Sequence, residues 1–248
     1  MSYRATLGHI ISRLAILNAL KPMTDLEKVR YTAHLNAIEV YSSNSIEGNT
    51  LTLDETIMII EKDLVVAGKT FSEHLEAKNL MNAVTFAIKG VQEKKPLTEG
   101  AIKEIHKRIS NGLLGDEIEG EYKKRGNRIG NIETTPPNAV QKEMHSLLDW
   151  YNSNKEKVNV VEIAAIFKYR FLCIHPFYDG NGRTSRVIVN YILGLSGYPP
   201  IIINPAIKAD YYLALQKSTL KNQTPLIEFM AKCLLDSINN QISILSES

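Results

Sequence analysis

The chain has 248 residues, 44% of them hydrophobic and 23% charged, with a formal net charge of +2. That is ample length for a real core, and the charge balance is too even to argue for a nucleic-acid or membrane-surface partner. No apolar run approaches the ~18 to 20 residues of a membrane span. Cys173 and Cys233 both sit in apolar helical patterns and read as free thiols in a reducing compartment, not as a disulfide framework.

The first twenty residues, MSYRATLGHIISRLAILNAL, carry basic residues and no acids, in the manner of a weak transit peptide. Arg13 interrupts any secretory apolar core, so an ordinary first helix is expected, with the cytoplasm as the default location. From residue 25 to 45, Leu26, Val29, Ala33, Ala37, Val40 and Tyr41 fall at three- and four-residue steps, which predicts one helical face. Gly48 and Asn49 end that helix. TLDE at 52–55 fits a capping box opening the next helix, with Ile57, Ile60, Leu64 and Val65 as its stripe and Gly68 as its close. A third periodic segment runs from Leu75 to Val91, with Leu80, Val84, Ala87 and Ile88 on one side. A fourth is marked by Ile102, Ile105, His106 and Ile109.

Residues 111–138, NGLLGDEIEGEYKKRGNRIGNIETTPPN, then break the pattern with five glycines and two prolines. This reads as a long loop with a small hairpin, and such loops in compact domains are usually functional or disordered. Helical spacing resumes at Val140, Met144, Leu147, Leu148 and Tyr151. The apolar segments VVEIAAIFKYRFLCI and VIVNYILGL follow, and two helices, 211–220 and 226–245, finish the chain after GYPP. There are no repeats, low-complexity tracts or flexible linkers. The simplest account is one all-α domain.

Between the two apolar segments lies HPFYDGNGRTSR, residues 175–186. Pro176 ends the first helix near His175. Gly180 and Gly182 let a ligand approach the main chain. A second helix starting near Gly182 or Arg183 would present unpaired N–H groups and the positive end of its dipole, which suits phosphate. Arg183 and Arg186, three apart, can reach the same side of that helix start and grip phosphate oxygens in bidentate fashion. His175 suits a general base at neutral pH. Asp179 is a hard oxygen donor for Mg²⁺ shared with phosphates, and Asn181 can orient phosphate oxygens. The set reads as a phosphoryl- or nucleotidyl-transfer site. A plain helix-end pair of His175 with Asp179 and a solvated arginine face is the competing account. No P-loop, GxGxxG, GxSxG, kinase or HExxH motif competes with it.

HPFYDGNGRTSR matches every fixed position of HPFxDGNGRxxR, and on it the chain resembles the Fic (Fido) family from roughly Tyr41 to the C-terminal helix. LSGYPPIIIN and KADYYLAL are similar to the segments that follow the motif in the family's animal member. The resemblance implies an all-helical Fic-type bundle with a β-hairpin flap. It would be a single domain with N-terminal helices at 1–68, a catalytic core at 95–220 and a C-terminal helix at 221–248. It implies AMP transfer from ATP to a Ser, Thr or Tyr hydroxyl of a target protein. His175 would take the hydroxyl proton, Asp179 would bind Mg²⁺, and Gly180, Asn181 and Gly182 would hold the α- and β-phosphates. Arg183 would grip the inner phosphates and Arg186 the γ-phosphate. Tyr211 and Tyr212 would lie near the nucleoside, unless they are core aromatics. The flap, 127–137, would pair with an extended segment of the target by strand addition. Family members acting as kinases carry Lys where this chain has Gly182. Helical domains of this family often dimerise, so a homodimer is open.

SSNSIEGNT, residues 42–50, carries a second family signature, [ST]xxxE[GN], at Ser43, Glu47 and Gly48. The resemblance implies an inhibitory helix whose Glu47 pairs with Arg186, keeps it from the γ-phosphate and leaves the α-phosphate misaligned for attack. Two other roles stay open: removal of AMP from a modified protein, with Glu47 positioning a water, and non-catalytic nucleotide binding. His106 is expected to be a satisfied core histidine, His145 surface or half-buried, and Trp150 packing.

Overall fold

The computed structural model describes residues 3–20, 23–129 and 132–246. Among these, helices α1 (Tyr3–Ala19), α2 (Asp25–Glu47), α3 (Leu53–Lys62), α4 (Phe71–Gln92) and α5 (Glu99–Ser110) come first. A minimal hairpin, β1 (Arg128–Ile129) and β2 (Ile132–Glu133), separates them from α6 (Pro137–Asn154), α7 (Val160–Ile174), α8 (Asn181–Leu195), α9 (Lys208–Lys217) and α10 (Thr224–Ser246). The strands pair antiparallel, Arg128 opposite Glu133 and Ile129 opposite Ile132. The all-α class and the hairpin within the Gly-rich loop are as the sequence predicts. Residues 130 and 131 of the flap lie outside the described residues.

Three helices open on the same device. Thr24, Thr52 and Thr70 each accept a hydrogen bond from the backbone N–H three residues on, and Glu27, Glu55 and Glu73 each accept one from the threonine N–H. A cap of this kind contributes about 1 kcal/mol. Glu73 also receives the Thr50 N–H and hydroxyl, which ties the turn after α2 to the head of α4. The Thr50 hydroxyl, then the Thr70 and Thr50 amides, draw its carboxyl down to about 2. Gly48 ends α2 in the left-handed region, φ 103°, and donates its N–H to the Asn44 and Ser45 carbonyls. Glu47 is therefore the last residue of α2.

The α7 helix forms the middle of the molecule. Ala164, Ala165, Phe167 and Phe171 have no exposed surface, so it is buried nearly all round. It packs on α8, which in turn lies against α4, α5 and α2, while α10 covers α7 and receives α1. Gly90 lets α4 and α8 meet closely: a Cβ there would come within 2.5 Å of the Tyr191 hydroxyl. That hydroxyl donates to the Lys95 carbonyl at 2.8 Å. The first helix forms as expected and is pinned to α10 by Arg13 Nε donating to Asn239 Oδ1 at 2.6 Å.

Some apolar spacing misleads. Leu26 and Val29 are 60% and 66% exposed, because only the second half of α2, from Ala37 and Val40 onward, meets the core. The α3 helix stops at Asp63 in the left-handed region (φ 53°), not at Gly68. Leu64 and Val65 thus lie beyond it and are exposed, and Thr56 and Ile59 face the core instead. No helix among the described residues is long and apolar enough to cross a membrane.

Candidate active site

The motif occupies the turn from α7 to α8. Residue His175 caps α7 in the left-handed region, φ 50° and ψ 60°, with its N–H on the Phe171 carbonyl at 2.8 Å. For a non-glycine residue this conformation costs of order 1–2 kcal/mol and is kept only where neighbours fix it. Phe177, with no exposed surface, provides one anchor by stacking on His106 at 3.7 Å and 6°. Asn181 provides another: its Oδ1 accepts the Phe177 N–H at 3.0 Å and its Nδ2 donates to the Phe177 carbonyl at 2.9 Å. The Asn181 amide is thus consumed in closing the loop and is 2% exposed, so it does not itself face a phosphate as the sequence reading expected.

Gly180, at φ 73°, opens α8, and no side chain caps that helix. The first N–H groups of α8, at Asn181, Gly182 and Arg183, therefore have no intrahelical acceptor and form an anion-binding head one residue earlier than expected.

Both arginines are buried at this head and both are engaged. Arg183 faces Glu76 of α4, Nη1 to Oε1 3.0 Å, and Asp179, Nη2 to Oδ2 3.6 Å. Arg186 donates from Nε to Ser43 Oγ at 2.7 Å, and from Nη2 to the Ser43 carbonyl at 3.0 Å and to Glu47 Oε1 at 2.6 Å. The Glu47 carboxylate sits directly over Gly182: a Cβ on that glycine would collide with Oε1. Burial pushes the Glu47 pKa up, but the charge and hydrogen bond of Arg186, then Arg183 and Lys168, outweigh it and hold the group below its ordinary value. Burial likewise opposes the Arg186 charge, and Glu47 and Tyr211 overcome it, so its pKa is raised. The two partners agree: the pair is ionised.

The contact extends along α2. Glu39, one turn before Ser43, accepts from Asn190 Nδ2 at 2.8 Å, and Asn190 also accepts the Ile201 N–H. Glu39, Ser43 and Glu47 thus face Arg186 and Asn190 at helical spacing, α2 against α8. Burial lifts Glu39 to about 7 against the pull of Asn190 and Arg186. Beneath Arg186, the buried ammonium of Lys168 donates to Ser185 Oγ at 2.7 Å, and burial drives its pKa well down.

The two tyrosines part company. Tyr211 is 1% exposed, packed on Phe229 and beneath Lys168, close enough to Arg186 to raise its pKa. It backs the arginine and packs here as a core aromatic. Tyr212 is 44% exposed, with its hydroxyl 3.5 Å from the Ile46 carbonyl, and borders the open side of the site.

Burial, with help from the Lys123 ammonium, holds the His175 imidazole below its ordinary pKa, against the Leu172 carbonyl, Asp179 and Glu47. It is therefore neutral at pH 7, the form a general base requires. The Asp179 side chain is 67% exposed beside the α8 head. No cluster of three metal-ligating side chains exists among the described residues. A single exposed carboxylate next to a phosphate cradle does fit Mg²⁺, which takes one or two carboxylates and fills its shell with water and phosphate oxygens.

A profile of the Fic/DOC family matches residues 96–193. The Fic domain containing signaling protein of Bacteroides thetaiotaomicron is 30% identical, superposes with a TM-score of 0.86, and is covered over 98% of each chain. This chain belongs to the Fic/DOC family. A segment of Fic-1 from Caenorhabditis elegans superposes with a TM-score of 0.88 at 30% identity, over 99% of this chain and 73% of that one. In sequence, protein adenylyltransferase Fic of Nematostella vectensis is 35% identical over 214 residues, 86% of this chain and 49% of the relative. The chain spans about half the length of the curated relatives it matches.

Within the Fic fold, the motif alone does not reveal how the loop is supported. His106 of α5 is fully buried; its Nε2 contacts the Asp179 carbonyl at 2.9 Å and its Nδ1 accepts the Gly120 N–H at 3.0 Å. Burial takes its pKa down to about 4, so it is neutral, with the proton on Nε2. The sequence marks it as a core histidine and misses its grip on the motif. Lys123, one of several charges in a loop, gives no sequence signal, yet it is 3% exposed and lies against the same turn. His145 pairs with Glu99 at 2.7 Å on the surface. Trp150 carries Arg170 over its ring at 4.4 Å.

Proposed function

We propose that this protein transfers AMP from ATP to a Ser, Thr or Tyr hydroxyl of a target protein and that Glu47 holds the reaction in check. Relatives 31–35% identical over most of this chain are named protein adenylyltransferases, which supports the class of reaction. The observation that carries the reading is the Arg186–Glu47–Ser43 contact at the uncapped head of α8. A helix start aimed at an anion, with its inner arginine answered by a carboxylate from another helix, is a phosphate site occupied by an internal competitor.

The residues divide the work. The N–H groups at 181–183 and the Arg183 guanidinium hold the inner phosphates. Arg186, once released from Glu47, takes the γ-phosphate. His175, neutral at pH 7, accepts the proton of the target hydroxyl as its oxygen bonds to the α-phosphorus. The bond from that phosphorus to the bridging oxygen breaks, and pyrophosphate leaves. General-base help of this kind contributes about 10²–10⁴ in rate. Asp179 is the group that would hold Mg²⁺, which when bound neutralises phosphate charge. The flap, 127–137, exposes Arg128 and Ile129 on β1, and a target segment would add to that edge as a strand.

Incubating Glu47→Gly with α-labelled ATP, Mg²⁺ and a cell lysate tests the reading. More label in protein than with wild type supports it. Label no greater than wild type, with ATP still bound, overturns the brake, and no transfer by either protein overturns the activity.

A further inference from the structure

Lys123 joins two parts of the site that the motif leaves separate. Its buried ammonium donates to Asn127 Oδ1 and Thr134 Oγ1, each at 2.6 Å, and to the Ile174 carbonyl at 3.3 Å. Its own N–H donates to the Pro176 carbonyl at 2.8 Å. Asn127 Nδ2 reaches the Phe177 carbonyl at 2.9 Å, and the Thr134 hydroxyl donates to the Asn127 carbonyl at 3.0 Å. Asn127 and Thr134 are the residues just before β1 and just after β2, the two roots of the flap. Ile174, Pro176 and Phe177 bracket His175. One cation thus bolts both legs of the hairpin to the residues on either side of the candidate base.

Volume alone does not explain a lysine here. Burying an ammonium costs several kcal/mol unless its donors are all used, and a methionine would fill the same space without that cost. Three oxygens do use the donors, and burial brings its pKa down only to about 8, so all three hydrogens are present at neutral pH. The arrangement makes sense where three separate backbone and side-chain groups must keep one fixed relation.

We propose that Lys123 is a positioning residue for the transfer reaction, setting the distance between a target strand carried on the flap and the imidazole of His175. This rests on the AMP-transfer reading. Without the ammonium the hairpin still forms but shifts against His175, so the target hydroxyl is presented out of line. A misplacement of about 1 Å costs of order 10²-fold in rate. Nucleotide binding uses the α8 head and its arginines and stays as it was.

Lys123→Met removes the charge and keeps the stem, Lys123→Arg restores a cation, and Thr134→Val removes the hydroxyl at one flap root. Hydrogen exchange of the flap amides, measured without nucleotide, reads the tether apart from any reaction. It is expected to quicken about tenfold in Lys123→Met and in Thr134→Val and to return toward wild type in Lys123→Arg. In the Glu47→Gly background, total label incorporated into protein from α-labelled ATP is expected to fall about 10²-fold in Lys123→Met, and partly to recover in Lys123→Arg. The KM for ATP is expected to stay within about twofold, because a positioning defect falls on kcat. Unchanged exchange in Lys123→Met and Thr134→Val overturns the tether. Faster exchange with undiminished labelling overturns the positioning role, as does a rise in KM that accounts for the lost rate. If Lys123→Met does not fold, Thr134→Val decides by the same two readouts. If Glu47→Gly itself never labels, the transfer reading fails, while the exchange data still decide the tether.

Discussion

Neutralising Glu47 is the perturbation with the largest expected consequence for activity. Its carboxylate meets Arg186 at 2.6 Å, with the arginine side chain 9% exposed and the glutamate 33% exposed. A hydrogen bond to a charged group contributes about 1.5–3 kcal/mol, and partial exposure of one partner places this contact near 2 kcal/mol. If Arg186 must leave Glu47 before it can take a γ-phosphate, that contact lowers the competent population by about 30-fold, at 1.4 kcal/mol per decade. Glu47→Gly is therefore expected to raise the transfer rate at saturating ATP by about 30-fold and to cost about 2 kcal/mol of stability. Glu47→Gln keeps the length and one neutral hydrogen bond, so a gain of about fivefold is expected, since a neutral partner keeps roughly half the strength. Label transfer from α-labelled ATP and urea denaturation measure the two quantities. Rates no faster than wild type in both variants, with ATP still bound, would refute the reasoning. So would an unchanged denaturation midpoint, which would mean the pair is not formed in solution.

Other outcomes follow from single side chains. His175→Ala in the Glu47→Gly background is expected to lose labelling by at least about 10²-fold while ATP affinity stays within about twofold; retained labelling removes His175 from the base role. Glu39 sits at about 7 in the fold against an ordinary value of 4.5, so the folded protein binds the extra proton. Its contribution is full below pH 4.5 and is lost as pH rises through about 7, at most about 3 kcal/mol. Glu39→Gln should therefore gain stability over wild type at pH 8 more than at pH 5 in urea titrations, and an equal effect at both would contradict the buried ionisation. His106→Leu leaves the Gly120 N–H and the Asp179 carbonyl without their partner, an expected loss of about 2–4 kcal/mol by denaturation; a neutral substitution would show that the loop does not depend on that ring.

Local chemistry made much of this legible in the sequence. TLDE at 52–55 announces a cap because threonine and glutamate three apart can satisfy each other's amides, and the structure uses that device three times. Gly48 after Glu47 fixes where α2 must end, which places the glutamate over α8. The motif names its own residues because proline, glycines and two arginines have few joint uses between buried helices. What was hidden depends on tertiary neighbours. Spacing put Leu26, Val29, Leu64 and Val65 on core faces, but a helical stripe does not say how far a partner helix extends. Asn181 looks like a phosphate ligand until Phe177 is seen to take both ends of its amide. Tyr211 and Tyr212 are adjacent and identical in type, and only the packing of α9 sends one inward and the other out. Lys123 lies 52 positions before His175, in a run of charges that local pattern alone reads as solvated.

The central claim is that the head of α8, with Arg183 and Arg186, seats a triphosphate whose α-phosphorus faces His175. The most direct measurement is a crystal structure of Glu47→Gly with Mg²⁺ and a non-hydrolysable ATP analogue. The account expects phosphate oxygens on the N–H groups at 181–183, Arg186 turned from the Ser43 carbonyl to the γ-phosphate, and the α-phosphate open to the imidazole. Nucleotide bound elsewhere, with Arg186 still held by Ser43 and the helix start bare, would contradict it.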